Sequence, residues 1–297
     1  MIKQNKKKSL GDGRASNNGN NRTAGLEQYY TPEDVSTTLT KTFLEICGKS
    51  PDTIYLEPCG GTGSFIDALI SNDISKEKII SYDIEPKHDL VKKADFLKLP
   101  LNKIPQGVHC ITNPPFGRNH SLSVPFFNKS AERADYIGFI IPKSWRKWSI
   151  QNRLNPSFHL IYDEEVVSHY VDEGGEQIYS TDKPGINTVF QIWERRDYFR
   201  EKVVVENRGY IEKVQPKDAD CSIVIFGRSC GEVTFEDIDK KAKTTTIYLK
   251  IHNDKVAELL PQLDYGKFCN NVAFVEALAW NEILFLLNEE MDKIESK

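Results

Sequence analysis

The chain has 297 residues, of which 39% are hydrophobic and 28% are charged, with 39 Lys and Arg against 43 Asp and Glu. This share of apolar residues is enough to bury a core, so the composition excludes a wholly disordered, collagen-like or coiled-coil protein. The net charge of −4 excludes a protein that binds polyanions through bulk positive charge, although a local basic groove stays open.

Two further classes are excluded by features that the sequence lacks. No apolar run approaches the ~20 residues of a membrane span, and no apolar stretch follows the N-terminal lysines as in a secretory signal. The six cysteines are scattered, with no CxxC pair and no His at zinc spacing, which favours reduced thiols over disulfides or a metal site. We therefore expect a cytoplasmic protein without a membrane span or a bound metal.

The N-terminal segment differs from the rest in charge. Residues 1–24 contain six Lys and Arg against a single acid, so the remainder is more acidic than the whole. Residues 1–25 are also rich in Asn and Gly and almost free of large apolar side chains, which predicts a disordered basic arm. Both a solvated tail and a contact with nucleic acid fit this composition.

The predicted elements begin with a helix over about 34–47, where the Thr31 hydroxyl can cap and Pro32 takes the first helical position. Short apolar strands then alternate with helix-length segments; they cover 53–56, 79–83, 109–112, 136–141, 159–162 and 188–193, with a helix from Ser64 to Ile70. This alternation predicts a doubly wound, Rossmann-like α/β domain over 26–197, with its sites at the carboxyl ends of the strands.

The remaining residues, 198–297, follow a different pattern. Polar alternation in 203–213, 221–226 and 244–251 is followed by helical periodicity from about 272 to 293. We expect a smaller α+β domain there.

Gly61 and Gly63 lie between the first predicted strand and the following helix. A glycine turn at this place lets the backbone approach a ligand, although the third glycine of the dinucleotide-binding pattern GxGxxG is missing. Asp83 ends the next strand, where a carboxylate can accept hydrogen bonds from both hydroxyls of a ribose. A purely structural turn with Asp83 as its cap fits the same residues.

Asp95 and Phe96 follow the segment after Asp83, at the third strand position. They offer an acceptor for an exocyclic amine and an apolar wall for a ring, which are the requirements of an adenine. An Asp cap beside a core Phe is the structural alternative.

The stretch Asn113-Pro114-Pro115-Phe116 is the most informative one. Two prolines directly after a buried strand remove two N–H donors and leave acceptors. The Asn113 side-chain carbonyl and the Pro114 backbone carbonyl can accept from one planar NH₂ group and so free its lone pair, while Phe116 offers a stacking face. The pattern predicts attack by an aromatic or amide amine on the electrophilic carbon of a cofactor; a rigid turn with a buried Phe is the alternative.

Aromatic and basic residues interleave after strand 136–141, at Lys143, Trp145, Arg146 and Lys147. In an otherwise acidic chain this favours contact with nucleic-acid phosphates. A helix start with Trp145 in the core is the alternative.

Taken together, five segments resemble the class I S-adenosylmethionine-dependent amino-methyltransferases of DNA. The segments are 31–32, 57–65, 82–86, 94–96 and 112–117, which read TP, EPCGGTGSF, YDIEP, ADF and TNPPFG. Their order is similar to the gamma arrangement of NPPF-type adenine-N6 methyltransferases. The resemblance covers residues 26–197 and implies that this region is the methyltransferase domain.

The resemblance implies S-adenosylmethionine as cofactor and DNA as partner. The residues implied in cofactor binding are Thr31 and Pro32 at the methionine end, Glu57, Gly61 and Gly63 along the cofactor, Asp83 at the ribose, and Asp95 with Phe96 at the adenine. Asn113, Pro114 and Phe116 would orient and stack an adenine that has left the duplex or lies in a single strand. Glu57 stands where the family more often has Asp, and residues 198–297, a possible target-recognition region, match no known recognition domain, which leaves the target sequence open.

Other functions fit the same motifs. NPPF-type sites also serve adenine in RNA, and NPPY-type sites serve a glutamine amide in protein; Phe116 and the C-terminal region favour a nucleic acid. A catalytically silent binding module with this fold is a further alternative, against which the intact Asn113, Gly61, Gly63 and Asp83 speak.

Overall fold

The computed structural model describes residues 22–23, 26–27, 29–166, 170–172, 174–177, 186–238, 242 and 244–296. The strands are β1 (Arg22–Thr23), β2 (Leu26–Glu27), β3 (Tyr55–Glu57), β4 (Ile79–Asp83), β5 (Val91–Lys93), β6 (Val108–Thr112), β7 (Ala134–Pro142), β8 (Phe158–Val166), β9 (Thr188–Arg195), β10 (Ile211–Lys213), β11 (Cys221–Val224), β12 (Val233–Thr234) and β13 (Thr246–Ile251). The α-helices are α1 (Glu33–Cys47), α2 (Ser64–Ser71), α3 (Ser123–Ala131), α4 (Trp148–Gln151), α5 (Asp254–Leu259), α6 (Gly266–Cys269) and α7 (Trp280–Glu295).

Most of the predicted basic arm, residues 1–25, lies outside the described residues. Of the arm, the structure describes Arg22 and Thr23, which form β1 and pair with β2, just beyond the arm, as a two-stranded antiparallel ribbon. The disorder of the arm stays a prediction.

A seven-stranded sheet forms the centre of the molecule, in the order β5-β4-β3-β6-β7-β9-β8. Six of its strands run in the same direction, and β9 runs opposite to them. All six strands predicted between residues 53 and 193 are present, so the α/β prediction is confirmed. The strand order reverses between β3 and β6, which is where such sheets open a crevice at their carboxyl ends.

Helix α1 covers one face of the sheet through the side chains of Leu39, Phe43 and Leu44, all buried. Gly138 of β7 makes room for it, because a Cβ there would come within 2.6 Å of the Phe43 ring. The helix begins one residue earlier than predicted, with Pro32 rather than Thr31 at its N-cap and no side-chain cap. Thr31 cannot cap because its hydroxyl faces Asn113 instead.

The C-terminal residues build a second, antiparallel sheet in the order β10-β13-β11-β12, packed with α5, α6 and α7 around its own apolar cluster. The helix predicted from about 272 begins only at Trp280, because the preceding backbone makes other contacts: the Asn187 N–H donates to the Ala273 carbonyl, and Ala277 forms an isolated bridge with Phe226. Residues 203–210 form no strand, in contrast to the predicted alternation.

Within the described residues, no helix combines the length and apolar character required to cross a bilayer. Nor does any group of three or more His, Cys, Asp or Glu in the same ranges have an arrangement that could hold a metal ion.

Candidate active site

A cavity of about 580 Å³ opens where the strand order reverses, at the carboxyl ends of β3, β4 and β6. Most residues implied at the cofactor and the target base line it: Thr31, Glu57, Gly61, Asp83, Asp95, Phe96, Asn113, Pro114 and Phe116. Pro32 and Gly63 do not line it. The fold thus brings together five segments that are up to 85 positions apart in the sequence.

The glycine turn after β3 closes on the end of β4. Gly61 has a φ of +46°, and its N–H donates to Asp83 Oδ2 at 2.9 Å. Gly63 has a φ of +88° at the N-cap of α2, and a Cβ on it would lie 2.5 Å from the His88 ring. Gly61 contributes backbone to the cavity wall, whereas Gly63 serves the geometry of the turn.

Asp83 holds the backbone of two turns and also lines the cavity. Its Oδ1 accepts from the Glu85 N–H at 2.8 Å, while Oδ2 accepts from Gly61. An ionised carboxylate offers about four lone-pair sites, so each oxygen keeps capacity for a ligand hydroxyl. The structural and functional interpretations of Asp83 are therefore compatible.

Glu57 is a buried carboxyl on the cavity wall, with 2% of its surface exposed. Thr112 Oγ1 donates to its Oε1 at 2.7 Å, whereas Oε2 has no hydrogen-bond partner among the described residues. Burial raises the pKa of Glu57 to about 8; the Thr112 hydrogen bond opposes this shift and the charge of Asp83 adds to it. A buried polar atom without a partner is costly, so Oε2 is suited to a donor supplied by a ligand.

Asn113 is held from the segment that precedes α1. Its Nδ2 donates to the Tyr29 carbonyl at 3.1 Å and to the Thr31 hydroxyl at 3.2 Å. A backbone carbonyl can only accept, so the amide nitrogen must face Tyr29 and the oxygen must face away. None of the described residues donates to Oδ1, which is left as an acceptor beside Pro114 on the cavity wall.

Phe116 lines the cavity but has only 7% of its surface exposed, because it also belongs to a buried cluster with Tyr170 and Ile186. The loop after it is tightly wound: Asn119 and His120 both have positive φ, at +52° and +61°. Non-glycine residues in this region are uncommon and mark a constrained loop. This loop forms the wall of the cavity on the Asn113 side.

Asp95 and Phe96 line the cavity and also contact other residues of the protein. Asp95 pairs with Lys98 Nζ at 2.9 Å and accepts from the Leu97 N–H at 3.1 Å; the Lys98 hydrogen bond is the main cause that lowers the pKa of Asp95. Phe96 is 1% exposed and packs on Phe126, with ring centroids 5.4 Å apart. Asp95 thus caps the turn that follows it and Phe96 belongs to the core, and both also line the cavity.

The predicted basic and aromatic strip is not a free surface. Trp145 is fully buried, and its indole N–H donates to His120 Nδ1 at 3.2 Å, so its side chain does not lie on the surface. Lys147 is also inside, where its Nζ pairs with the buried Glu282 at 3.1 Å and donates to the Ala277 carbonyl at 3.1 Å. The alternative interpretation, with Trp145 in the core, agrees with the position of this side chain.

Lys143 and Arg146 lie in an ion-pair cluster on the β8 side. Lys143 Nζ is 2.6 Å from Glu165 Oε1, and Arg146 contacts both Glu165, at 2.9 Å, and Asp163. The predicted positive groove near these residues is therefore balanced by acids, and a phosphate would have to compete with carboxylates already in place.

Sequence reasoning missed several residues of the site. Tyr29, Tyr30, Thr112 and Arg118 line the cavity or hold its lining residues. Tyr29 and Tyr30 directly precede the TP segment and Thr112 directly precedes Asn113, so adjacency to a motif was the available signal. Arg118, two residues beyond Phe116, is an exposed cation at the cavity with no ion pair among the described residues.

Comparison with known proteins finds similarity in structure alone, because no protein-family model and no curated protein matches the sequence. A candidate RNA methyltransferase from Pyrococcus horikoshii is 17% identical with a TM-score of 0.43, over 59% of this chain and 90% of that one. The modification subunit of a candidate type I restriction enzyme from Vibrio vulnificus is 14% identical with a TM-score of 0.40, over 57% and 44%. The M protein of the type I restriction enzyme EcoKI is 11% identical with a TM-score of 0.40, over 91% and 71%. Likenesses this distant carry no function to this chain.

Proposed function

We propose that this protein transfers a methyl group from S-adenosylmethionine to the N6 amine of adenine in DNA. One observation carries the proposal: Tyr29 and Thr31 fix the Asn113 amide so that no described residue donates to its oxygen, which lies on the same cavity as Gly61 and Asp83. A cofactor turn and an amine acceptor thus line the same cavity.

The residues on the cofactor side fit S-adenosylmethionine. Oε2 of Glu57 has no partner among the described residues, and the cationic amino group of the cofactor would pair with Glu57 in its ionised form. Asp83 retains lone pairs for ribose hydroxyls, and the Gly61 backbone forms the wall where a side chain would meet Tyr30 at 2.8 Å. When bound, the cofactor supplies an electrophilic methyl group. The same residues would hold it, with Asp95 and Phe96 at the adenine.

The residues on the target side act on the amine. Asn113 Oδ1 and the Pro114 carbonyl accept its two hydrogens, which draws them out of the plane of the ring and leaves the nitrogen lone pair available for attack. A neutral amine needs no strong base before attack, so its proton leaves afterwards to solvent. Phe116 provides an apolar contact for the ring.

An adenine inside a duplex cannot enter such a cavity, so it must be flipped out or come from a single strand. Arg118 on the loop after Phe116 is placed to meet a phosphate beside the extruded base. Lys143 and Arg146 lie farther along the chain and are balanced by Asp163 and Glu165.

The direct test is incubation of the full chain with labelled S-adenosylmethionine and unmodified DNA, with matched RNA in parallel. We expect N6-methyladenine in DNA. Methylation of RNA alone would assign the RNA alternative, and calorimetry without cofactor binding would assign the silent module. A folded, cofactor-bound protein that methylates neither nucleic acid would refute the proposal.

Two substitutions separate the halves of the site. Asn113→Ala should abolish transfer and leave the Kd for the cofactor within a few-fold of the original. Asp83→Ala should instead act mainly by weakening cofactor binding. If Asn113→Ala mainly reduced cofactor affinity, the role given to Asn113 would be wrong.

A further inference from the structure

Two cysteines that are far apart in the sequence meet in the C-terminal region. Cys230 and Cys269, 39 positions apart, have their sulfur atoms 2.7 Å from each other. Among the described residues, theirs is the sole contact between two cysteine sulfurs, and both thiols are in the free state. Scattered cysteines without a CxxC pair gave no sign of this contact.

The position of Cys230 is fixed by a tight turn. Gly227 and Gly231 flank it with φ values of +97° and +93°, and the Cys230 N–H donates to the Gly227 carbonyl at 2.8 Å. Gly231 lies so close to Tyr265 that a Cβ would come within 2.6 Å of its side chain. The turn therefore packs directly on Tyr265.

Tyr265 also positions the second cysteine. The N–H of Cys269, at the end of α6, donates to the Tyr265 carbonyl at 2.9 Å, and the Tyr265 hydroxyl donates to the Leu260 carbonyl at 2.9 Å. Tyr265 thus contacts the turn that carries Cys230 and accepts a hydrogen bond from Cys269. The packing around this buried residue therefore holds the two cysteines together.

The surroundings favour thiol chemistry at this pair. Cys230 is partly exposed whereas Cys269 is buried, with 4% exposure. The hydrogen bond with Cys230 and the ammonium of Lys147 lower the pKa of Cys269, against an opposing effect of burial. Lys147 is close by, because its Nζ donates to the carbonyl of Ala277, whose N–H donates to the Cys269 carbonyl at 3.3 Å. The same hydrogen bond, with burial, raises the pKa of Cys230, so the thiolate character of the pair lies on Cys269, which suits Cys269 to attack a mixed disulfide formed at Cys230.

We infer that Cys230 and Cys269 form a redox-active dithiol, which small disulfides of the glutathione class oxidise to an intramolecular disulfide. Cys230, the accessible sulfur, attacks RSSR; the S–S bond of RSSR breaks, a mixed disulfide forms, and the proton of the Cys230 thiol leaves with the first RSH. Cys269 then attacks Cys230 Sγ, the bond to the second RS group breaks, and the proton of the Cys269 thiol leaves with the second RSH. Two protein thiols lose two electrons in total, and one RSSR gains them. This site stands apart from the proposed methyl transfer.

The test uses the full chain incubated with oxidised glutathione and then alkylated and digested without reduction. We expect a cross-linked peptide that joins Cys230 to Cys269, a fall in free thiols from six to four, and reversal by reduced glutathione. The midpoint of thermal unfolding should rise by about 5 °C on oxidation, because the bond closes a loop of 39 residues in the unfolded chain.

Matched variants define the pair. Cys230→Ser should give no cross-link and leave Cys269 unmodified, while Cys47→Ser, a change at a distant thiol, should form the cross-link as before. Six free thiols after oxidation, a glutathione adduct that persists on Cys230, or a cross-link between other cysteines would each overturn the inference.

Discussion

The hydroxyl of Thr112 at the end of β6 donates to the carboxyl of Glu57 at the end of β3, at 2.7 Å. This bond crosses the point at which the strand order reverses. It links the strand that leads to Asn113 with the strand that leads to the glycine turn. The two halves of the proposed site therefore share a buried hydrogen bond, from which the first prediction follows.

Thr112→Val should weaken cofactor binding about tenfold, because the nearly isosteric change removes the hydroxyl that donates to Glu57. Calorimetric titration with S-adenosylmethionine measures the loss. Thr112→Ser keeps the hydroxyl and serves as the control, with an expected Kd within about twofold of the original. A loss in Thr112→Ser together with an unchanged Kd in Thr112→Val would show that packing of the methyl group, rather than the hydrogen bond, supports the site.

The free energy of unfolding should fall as the pH rises toward the pKa of Glu57 in the folded protein. The pKa of this carboxyl is raised to about 8 in the folded protein from an ordinary value of 4.5. Between these values the folded state retains a proton that the unfolded state releases, so the free energy of unfolding decreases with pH and levels off above about 8. Glu57→Gln should remove this dependence. Urea unfolding of both proteins from pH 5 to pH 9 measures it, and parallel curves would contradict the prediction.

The fold could largely be predicted from the sequence because strands such as β3 and β6 are buried on both faces and appear as short apolar runs. Gly61, Asp83 and Asn113 could be predicted for a related reason, since Asp83 ends such a run and Gly61 and Asn113 come within four residues after one. Parallel strands gather those ends at one edge of the sheet.

The surface between the elements was not readable, since it depends on packing between distant segments. Trp145 sits among basic residues in the sequence, yet it packs on Phe127, with ring centroids 5.7 Å apart. Arg146 meets Asp163 only because β8 lies beside the segment that carries it. A basic and aromatic sequence pattern alone does not tell which side chains reach solvent.

Thr31→Val should slow methyl transfer about tenfold at saturating substrate, because it removes one of the two acceptors that hold the Asn113 amide. Cofactor affinity should change by less than about threefold. Single-turnover kinetics with labelled cofactor provide the measurement, and Thr31→Ser, which keeps the hydroxyl, should behave like the original protein. A slowed Thr31→Ser would argue against the hydrogen bond as the cause.

Arg118→Ala should weaken binding to DNA and reduce the slope of log K against log salt by about one, as expected for the loss of one phosphate contact. Fluorescence anisotropy at several salt concentrations gives both values. Lys41 of α1, which is 72% exposed, supplies the control: Lys41→Ala should leave the slope unchanged. Similar slopes for the two variants would remove Arg118 from the interface.

Lys147→Met should destabilise the protein by about 3–5 kcal/mol, because it leaves the buried carboxyl of Glu282 without its cation. Chemical unfolding measures the loss, and the double variant Lys147→Met with Glu282→Gln should recover much of it. If Lys147→Met instead left stability unchanged and reduced DNA affinity, that result would support the phosphate contact of Lys147 predicted from the sequence.

The bonds from Asn113 to Tyr29 and Thr31 have a consequence for how this motif is recognised in other sequences. An amide can turn by half a rotation and exchange its oxygen for its nitrogen, and the motif itself contains nothing that prevents this. The polarity of the site is set 82 and 84 positions upstream. A homologue that kept the Asn-Pro-Pro-Phe letters but lost the upstream acceptors could present donors to the target amine, so the four letters alone would be an incomplete signature of activity.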